Sequence, residues 1–453
     1  MGRSRGLSRL LTTPVDGASV AVVRIGLGLL IAAEAIHFLT TDWIARSFLD
    51  PEFHFTYQGF DWVQPWPGVG LYLHFGALAL LGLSVAAGIA HRIAAPLLAA
   101  GFAYVFLLDK AEYLNHFYAA ILLLALIAVM PADRALSVAA RRHPDRPRTV
   151  PLWTVWALRF QVGVIYAYAG IAKLGTDWLA GEPMGMWLAD RSDMALIGPL
   201  LGASWAGVAW SWGGLAFDLA IVPLLLWRRT RALAFCLAVG FHVLNWVVFD
   251  IGIFPPMMIV ATTVFFEPGW PRLAWGRAAR FAGRAGEVAR PRIPVPAPPS
   301  TRTARLLVPA LAVYVAVQLL VPLRHHLYPG SVHWTEEGHR FAWHMKLRGK
   351  EGWATFTAVE RRTGERRELD TSDLISQRQH ARASLHPDMI LQLAHRLAER
   401  ERAAGHDVEI RAEAVVSLNG RPASDLVDPR RDLAAVPRNL GTADWIGPEP
   451  PPG

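Results

Sequence analysis

The chain has 453 residues, 53% hydrophobic and 18% charged, with a mean hydropathy of +0.27. That charge content is well below the roughly 25% of a soluble domain, and the basic residues behind the net charge of +8 sit between apolar runs rather than on one face. An ordinary soluble domain and a nucleic-acid partner are therefore excluded. The one cysteine, Cys236, excludes an intrachain disulfide and a thiolate metal centre.

Apolar stretches long enough to cross a bilayer need about 17–25 residues. Read in chain order, they fall near 19–39, 69–90, 93–109, 116–130, 153–174, 206–227, 232–249, 253–266 and 304–322. The eighth is short and carries Pro255-Pro256, which marks it as a broken or re-entrant piece. Eighteen tryptophans suit aromatic belts at two membrane interfaces. The first run has a basic start but no following small-residue cleavage site, so a removable leader is not expected.

Loop charges predict the orientation. Arg3, Arg5 and Arg9 precede the first span, His91-Arg92 follow the second, and Arg134, Arg141, Arg142, Arg146 and Arg148 follow the fourth. Arg228, Arg229 and Arg231 follow the sixth, and six arginines from Arg272 to Arg292 follow the eighth. With nine spans all of these share one side, which should be cytoplasmic together with the N-terminus.

Residues 324–447 read as a small extracytoplasmic α+β domain. A hairpin pairs Ala354–Val359 with Arg367–Leu369, Pro387–Arg400 carries Ile390, Leu391, Leu393, Ala394 and Leu397 at helical spacing, and Asp407–Leu418 alternates as a strand. The Pro-rich end, 448–453, reads as a disordered tail. The expected fold is thus a polytopic α-helical membrane protein of eight or nine spans over residues 1–323, with that domain appended.

Lys173 is the residue that most asks for a function, because an ammonium at the end of an apolar span is costly to keep there. Arg159 and Tyr166 precede it at intervals of seven on the same helix face, with Gln161 close by. Asp109 and Lys110 close the third span, and Asn115 and His116 open the fourth. Lys110 reads first as a snorkelling cation; His116 can donate, accept or hold a proton. His242 and Asn245 form a further polar group, with Asp218 on the preceding span. Hydrogen bonds between helices account for such residues as readily as function does. His325, His326 and His344 fit no metal spacing, so no metal is expected.

These clusters together resemble vitamin K-dependent γ-glutamyl carboxylase and its bacterial relatives of the HTTM group. The runs that carry the resemblance include Tyr104–Lys110, Asn115-His116, Leu158-Arg159 with Gln161, Ala169-Gly170 through Lys173-Leu174, and Asp177-Trp178. They continue through Phe241-His242 with Asn245, Glu267–Arg272, Trp334-Thr335, Trp343, Val416–Asn419 and Asp428–Arg430. The resemblance implies that Lys173 deprotonates a reduced vitamin K (menaquinol or phylloquinol), with O2 and CO2 as co-substrates. Oxygen addition then creates a stronger base, glutamate loses a γ-proton, CO2 is captured, and the quinone leaves as its epoxide. It implies a role for His116 in the chemical steps, with His242, Asn245, Asn115, Asp109, Arg159, Gln161, Tyr166 and Trp343 around cofactor and substrate. His339 stands where the animal enzyme has a tyrosine near its reactive site, and Ala172 replaces the first of two lysines.

The implied partners are membrane lipid, a glutamate-containing protein or peptide, and a quinone reductase for recycling. Two alternatives stay open. One is a related quinol-using enzyme without glutamate carboxylation, favoured by an altered site near His339. The other is a non-enzymatic scaffold or transporter, which would place polar residues at both ends of a path across the bilayer.

Overall fold

The computed structural model describes residues 2–281 and 301–451. Among them, seven helices are long and apolar enough to cross a membrane. In our numbering these include α1 (Ala18–Leu39), α2 (Val69–Ala87), α3 (His91–Leu108), α5 (Leu152–Ile171), α6 (Ala206–Leu226) and α7 (Arg231–Val248). The seventh is α10 (Thr301–Leu320), which follows α9 (Trp270–Phe281). The fourth and eighth expected spans are shorter helices, α4 (Asn115–Val129) and α8 (Phe254–Thr262). At 1.5 Å per residue, α4 reaches about 22 Å, less than the ~30 Å hydrocarbon core.

The prolines of the eighth segment start its helix instead of breaking it. Pro255 and Pro256 occupy the first turn of α8, where a missing N–H leaves no helical bond unmade. A two-stranded antiparallel pair, β1 (Pro14–Asp16) with β2 (Thr149–Pro151), ties the start of α1 to that of α5. The Asp16 carboxylate accepts from the Ala18 amide at 2.9 Å and so satisfies a free donor where α1 begins.

Helices α1 and α2 touch backbone to backbone. A Cβ on Gly28 would lie 2.6 Å from the Gly82 carbonyl, and one on Gly82 would lie 2.7 Å from that of Gly28. Such small residues let membrane helices approach closely where apolar lipid supplies no hydrophobic drive. Leu73, Leu80, Ile93, Leu233 and Leu237 stand exposed on the outside of the bundle, as an outer surface facing acyl chains requires.

The C-terminal domain is built on a four-stranded antiparallel sheet of order β4-β3-β5-β6: β3 (Lys350–Glu360), β4 (Arg366–Leu369), β5 (Val408–Leu418) and β6 (Ser424–Asp425). Ala354, Phe356 and Ala358 of β3 and Ile410, Ala412, Ala414, Val416 and Leu418 of β5 alternate inward. They pack under α12 (Pro387–Ala403), whose Met389, Ile390, Leu393, Ala394 and Leu397 are buried. A shorter helix, α11 (Gln377–Ala383), precedes it behind a Ser376/Gln379 capping box. Phe55 and Ala111, from the membrane part, belong to this same core. Of the expected tail, Glu449 and Pro450 bond to the Arg421 guanidinium at 2.8 and 3.0 Å. Residues 452–453 lie outside the described residues.

Candidate active site

Lys173 sits in the turn just after α5, buried, with Nζ 2.8 Å from Oδ2 of Asp218 on α6 and 3.2 Å from the Ala169 carbonyl. Both side chains are more than nine-tenths buried. The ammonium also lies over the indole of Trp178, 5.1 Å from the ring centroid, and that indole is fixed by its N–H to the Ser211 carbonyl at 2.8 Å. Two opposite charges out of water stabilise one another only with good geometry and further hydrogen bonds. Both conditions are met here.

The sequence places Asp218 with His242; the structure pairs it with Lys173 instead. Its neighbour Phe217 stacks on Phe241 with centroids 3.8 Å apart and meets Tyr166 at 5.8 Å. Tyr166 and His242 share a buried hydrogen bond of 2.7 Å. His242 lies 5.9 Å, centroid to centroid, from Phe254 at the start of α8, and His116 lies 6.3 Å from the other direction. Lys173, Tyr166, His242 and His116 thus belong to one connected patch at the end of the bundle that meets the C-terminal domain.

Asn115 and Trp343 extend that patch. Asn115 donates to the His344 carbonyl at 3.1 Å and accepts from the Tyr113 hydroxyl at 3.0 Å. Trp343 is fully buried, stacks on Tyr118 at 4.9 Å, and its Nε1–H has no hydrogen-bond partner among the described residues. Phe341 and Trp343 both have left-handed backbone, at φ 63° and 61°. Side chains pay for that region with strain, and here it turns both rings into the membrane core.

The remaining expected residues lie elsewhere. Arg159, fourteen residues before Lys173, is about 21 Å away along the helix and donates to the carbonyls of Val264, Phe265 and Phe266. Gln161 accepts from the Tyr314 hydroxyl and ties α5 to α10. The polar stripe of α5 therefore lines no single cavity. Asn245 donates to the Phe241 carbonyl of its own helix at 2.8 Å.

Asp109 and its neighbours dock the two parts of the chain. Asp109 accepts from Gln379 at 2.7 Å, Glu112 is held by both arms of Arg378 at 2.8 and 2.9 Å, and Lys110 pairs with Asp388. Lys110 is buried and so does not snorkel. Burial lowers its ammonium to about 8, against the opposing pull of Asp388. On the other flank, Asp177 accepts from Arg421 at 2.6 and 2.7 Å and from Asn419 at 2.6 Å.

His339 joins a buried charge cluster around Glu336. Arg348 holds that carboxylate at 2.7 and 2.5 Å, Lys350 at 3.1 Å, and His339 and His386 approach at 3.6 and 3.9 Å. The cations hold Glu336 well below the usual carboxylate range despite its burial. Arg348 also contacts His339 Nε2, which leaves its Nδ1 toward Glu336. Burial depresses His333 to about 4 and His386 to about 3.

These histidines predict acid sensitivity. Their folded values lie below the unfolded 6.5, so the unfolded chain binds more protons between the two. Their contribution to stability is complete above about pH 6.5 and is lost as pH falls toward 3 to 4. Denaturant melts followed by tryptophan fluorescence should show stability falling from pH 6.5 to 4, with a shallower fall in His386→Asn. An equal slope in that variant would remove His386 from the account.

A cavity of about 450 Å³ opens at the seam between the two parts, lined by Lys110, Arg324, His339, Arg340, Phe341 and Arg438 among others. Neither Lys173 nor His116 lines it. Arg340 donates to the Met389 sulfur and lies over the Tyr113 ring, and Arg324 donates to the carbonyls of Val321 and Arg340 and lies over the Phe341 ring. Among the described residues, neither guanidinium has a carboxylate partner.

Apolar spans carrying a buried Lys–Asp pair, docked on an α+β domain, define a membrane protein with a candidate catalytic centre inside its bundle. Residues 12–270 match the HTTM domain, and residues 303–451 match the vitamin K-dependent gamma-carboxylase lumenal domain. The chain belongs to this carboxylase family. No solved structure matches it.

Sequence reasoning missed Glu336 and the unpaired Arg324 and Arg340. Asp218 carried the same signal as Lys173, a charge within an apolar helix, which is the signal that finds such partners.

Proposed function

We propose that this chain carboxylates the γ-carbon of glutamate in a protein or peptide outside the cytoplasm, coupled to epoxidation of a reduced quinone. The observation that carries this reading is the buried Lys173–Asp218 pair, 2.8 Å apart, at the end of the bundle facing the matched lumenal domain. A reduced vitamin K, menaquinol in a bacterial inner membrane, with O2 and CO2 would supply the oxidative energy that no side chain has for removing a carbon-bound proton.

The residues fit such a group. The unpartnered Trp343 Nε1–H is a buried donor for an oxygen, and Phe217, Phe254 and Tyr118 offer aromatic faces. As the free amine, Lys173 would take up a proton at Nζ, and the Asp218 carboxylate 2.8 Å away would stabilise the ammonium that forms. Tyr166 would orient His242, while burial of the whole patch keeps water from competing. The seam cavity would receive the acidic peptide, with Arg324 and Arg340 meeting its carboxylates. The N-terminus and the arginine-rich loops would be cytoplasmic, and a separate reductase would recycle the quinone.

The test is labelled CO2 incorporation into a glutamate-rich peptide by purified protein with reduced menaquinone or vitamin K and O2. Label in that peptide, and none in the same peptide with aspartate for glutamate, is expected. Absence of label from both would overturn the reading. Arg340→Gln should raise KM for the peptide roughly tenfold with little change in kcat, since a charge-assisted hydrogen bond contributes about 1.5–3 kcal/mol. An unchanged KM would remove Arg340 from the peptide site.

One observation favours a second reading. His339 is locked by Arg348 and Glu336, where the resemblance implies a tyrosine near the reactive site. A quinol-using enzyme without glutamate carboxylation would epoxidise its quinone in that assay and leave the peptide unlabelled.

A further inference from the structure

The opposite end of the bundle holds a second cavity, of about 370 Å³, where α3 begins and α4 ends. Its lining includes His91, Arg92, Asp133, Arg134, Arg146 and Arg148. Among the described residues, none of these four guanidiniums forms an ion pair or a side-chain hydrogen bond.

Two of the polar groups in the cavity are also cut off from water. Among the described residues, the Arg148 Nη1 and the His91 Nδ1 are buried without a hydrogen-bond partner, and His91 is only 3% exposed. Its Nε2 faces the carbonyls of Ile127 and Met130 at 3.2 and 3.0 Å. That nitrogen must therefore carry a proton, and Nδ1 is left as an acceptor, so the donors of the cavity are its guanidiniums. An arginine that merely marks the cytoplasmic side of a membrane protein would be hydrated. An inward-facing, unsatisfied guanidinium calls for an acceptor.

The cavity wall is rigidly made. Arg24, fully buried, donates to the carbonyls of Ala86, Ala132 and Leu136 at 3.1, 2.9 and 2.7 Å. These bonds hold the 132–136 turn against the end of α2. Val129, also in the lining, is 70% exposed at the rim of α4, and Ile93 and Leu97 are exposed along α3. The cavity thus opens onto an apolar outer surface.

We propose that this cavity binds a phosphate-bearing anion, and that its source is the headgroup of an anionic phospholipid. Guanidinium forks match phosphate oxygens bidentately, and basic pockets between membrane helices hold anionic headgroups in the same way. The exposed flank of α3 and α4 takes the acyl chains. Asp133 is the one carboxylate in the lining and opposes the ligand.

Native mass spectrometry of the purified full chain tests this, with phosphatidylglycerol and phosphatidylcholine of matched chains in equal amounts. Wild type is expected to retain phosphatidylglycerol in preference, and Arg134→Gln/Arg148→Gln to reduce that preference roughly tenfold or more, as two headgroup charges imply. Asp133→Asn, which removes repulsion and leaves the arginines in place, should strengthen it. Equal retention of both lipids by wild type, or an unchanged preference in both variants, would overturn the proposal. Inorganic phosphate in the same mixtures separates the two sources of the group. Lipid that stays bound supports the headgroup, and displacement at millimolar phosphate would overturn the lipid assignment.

Discussion

Lys173→Ala is expected to abolish quinol epoxidation and glutamate carboxylation together, each by roughly 10²–10⁴-fold, the range for loss of a positioned base. The size follows from where the amine sits. It is buried, 2.8 Å from Asp218, and no other lysine lies in α5, α6, α7 or α8. Alanine also leaves the Asp218 carboxylate buried and unpaired, at a cost of about 3–5 kcal/mol for breaking such a pair. Lys173→Met separates the two effects: it too leaves Asp218 unpaired but keeps the side-chain bulk. Activity lost in both variants, with the melting temperature higher in Lys173→Met, assigns the loss to chemistry. Activity retained in either would contradict a role for Lys173 as the base.

Glu336→Gln is expected to be the most damaging single change in the C-terminal domain, destabilising it by about 3–5 kcal/mol. The amide keeps the shape but removes the charge that Arg348, Lys350, His339 and His386 surround. Lys350 is almost wholly inside, and burial lowers its ammonium to about 8 even with Glu336 present. Without the carboxylate, the cations stand unpaired in the interior. Arg348→Met in the same chain should restore part of the loss, because an apolar side chain of similar volume is tolerated where an unpaired charge is not. Guanidinium melts of the single and double variants measure this. A single variant as stable as wild type would show that the cluster contributes nothing net.

Much of the fold was legible because its signals are local. Span length and apolar content located the helices, and period-two alternation located β3 and β5 within a few residues. Pro255-Pro256 marked the eighth segment as other than a full span, and α8 is short, with the proline pair in its first turn. At the site, the cost of a buried charge singled out Lys173, yet Asp218 lies 45 residues away. Which helix faces which depends on rotations that periodicity does not report.

The misplaced candidates share one cause. Asp109 and Lys110 read as an interfacial turn because Gln379 and Asp388, which they meet, lie some 270 residues later. Arg159 and Gln161 do share a helix with Lys173. Their partners, however, are carbonyls at the end of α8 and Tyr314 on α10, contacts that only the assembled bundle creates. Glu336 sits in a run, Thr335-Glu336-Glu337-Gly338, that resembles an exposed acidic turn. Its burial follows from four basic residues converging from positions 339, 348, 350 and 386.

The most direct measurement is labelled CO2 incorporation and quinone epoxide formation in the same tubes, for wild type and Lys173→Ala. The protein would be purified and supplied with reduced menaquinone or vitamin K, O2 and a glutamate-rich peptide. Label and epoxide together are expected in wild type, and neither in the variant. Label or epoxide persisting in Lys173→Ala, or neither product from folded wild-type protein, would contradict this reading.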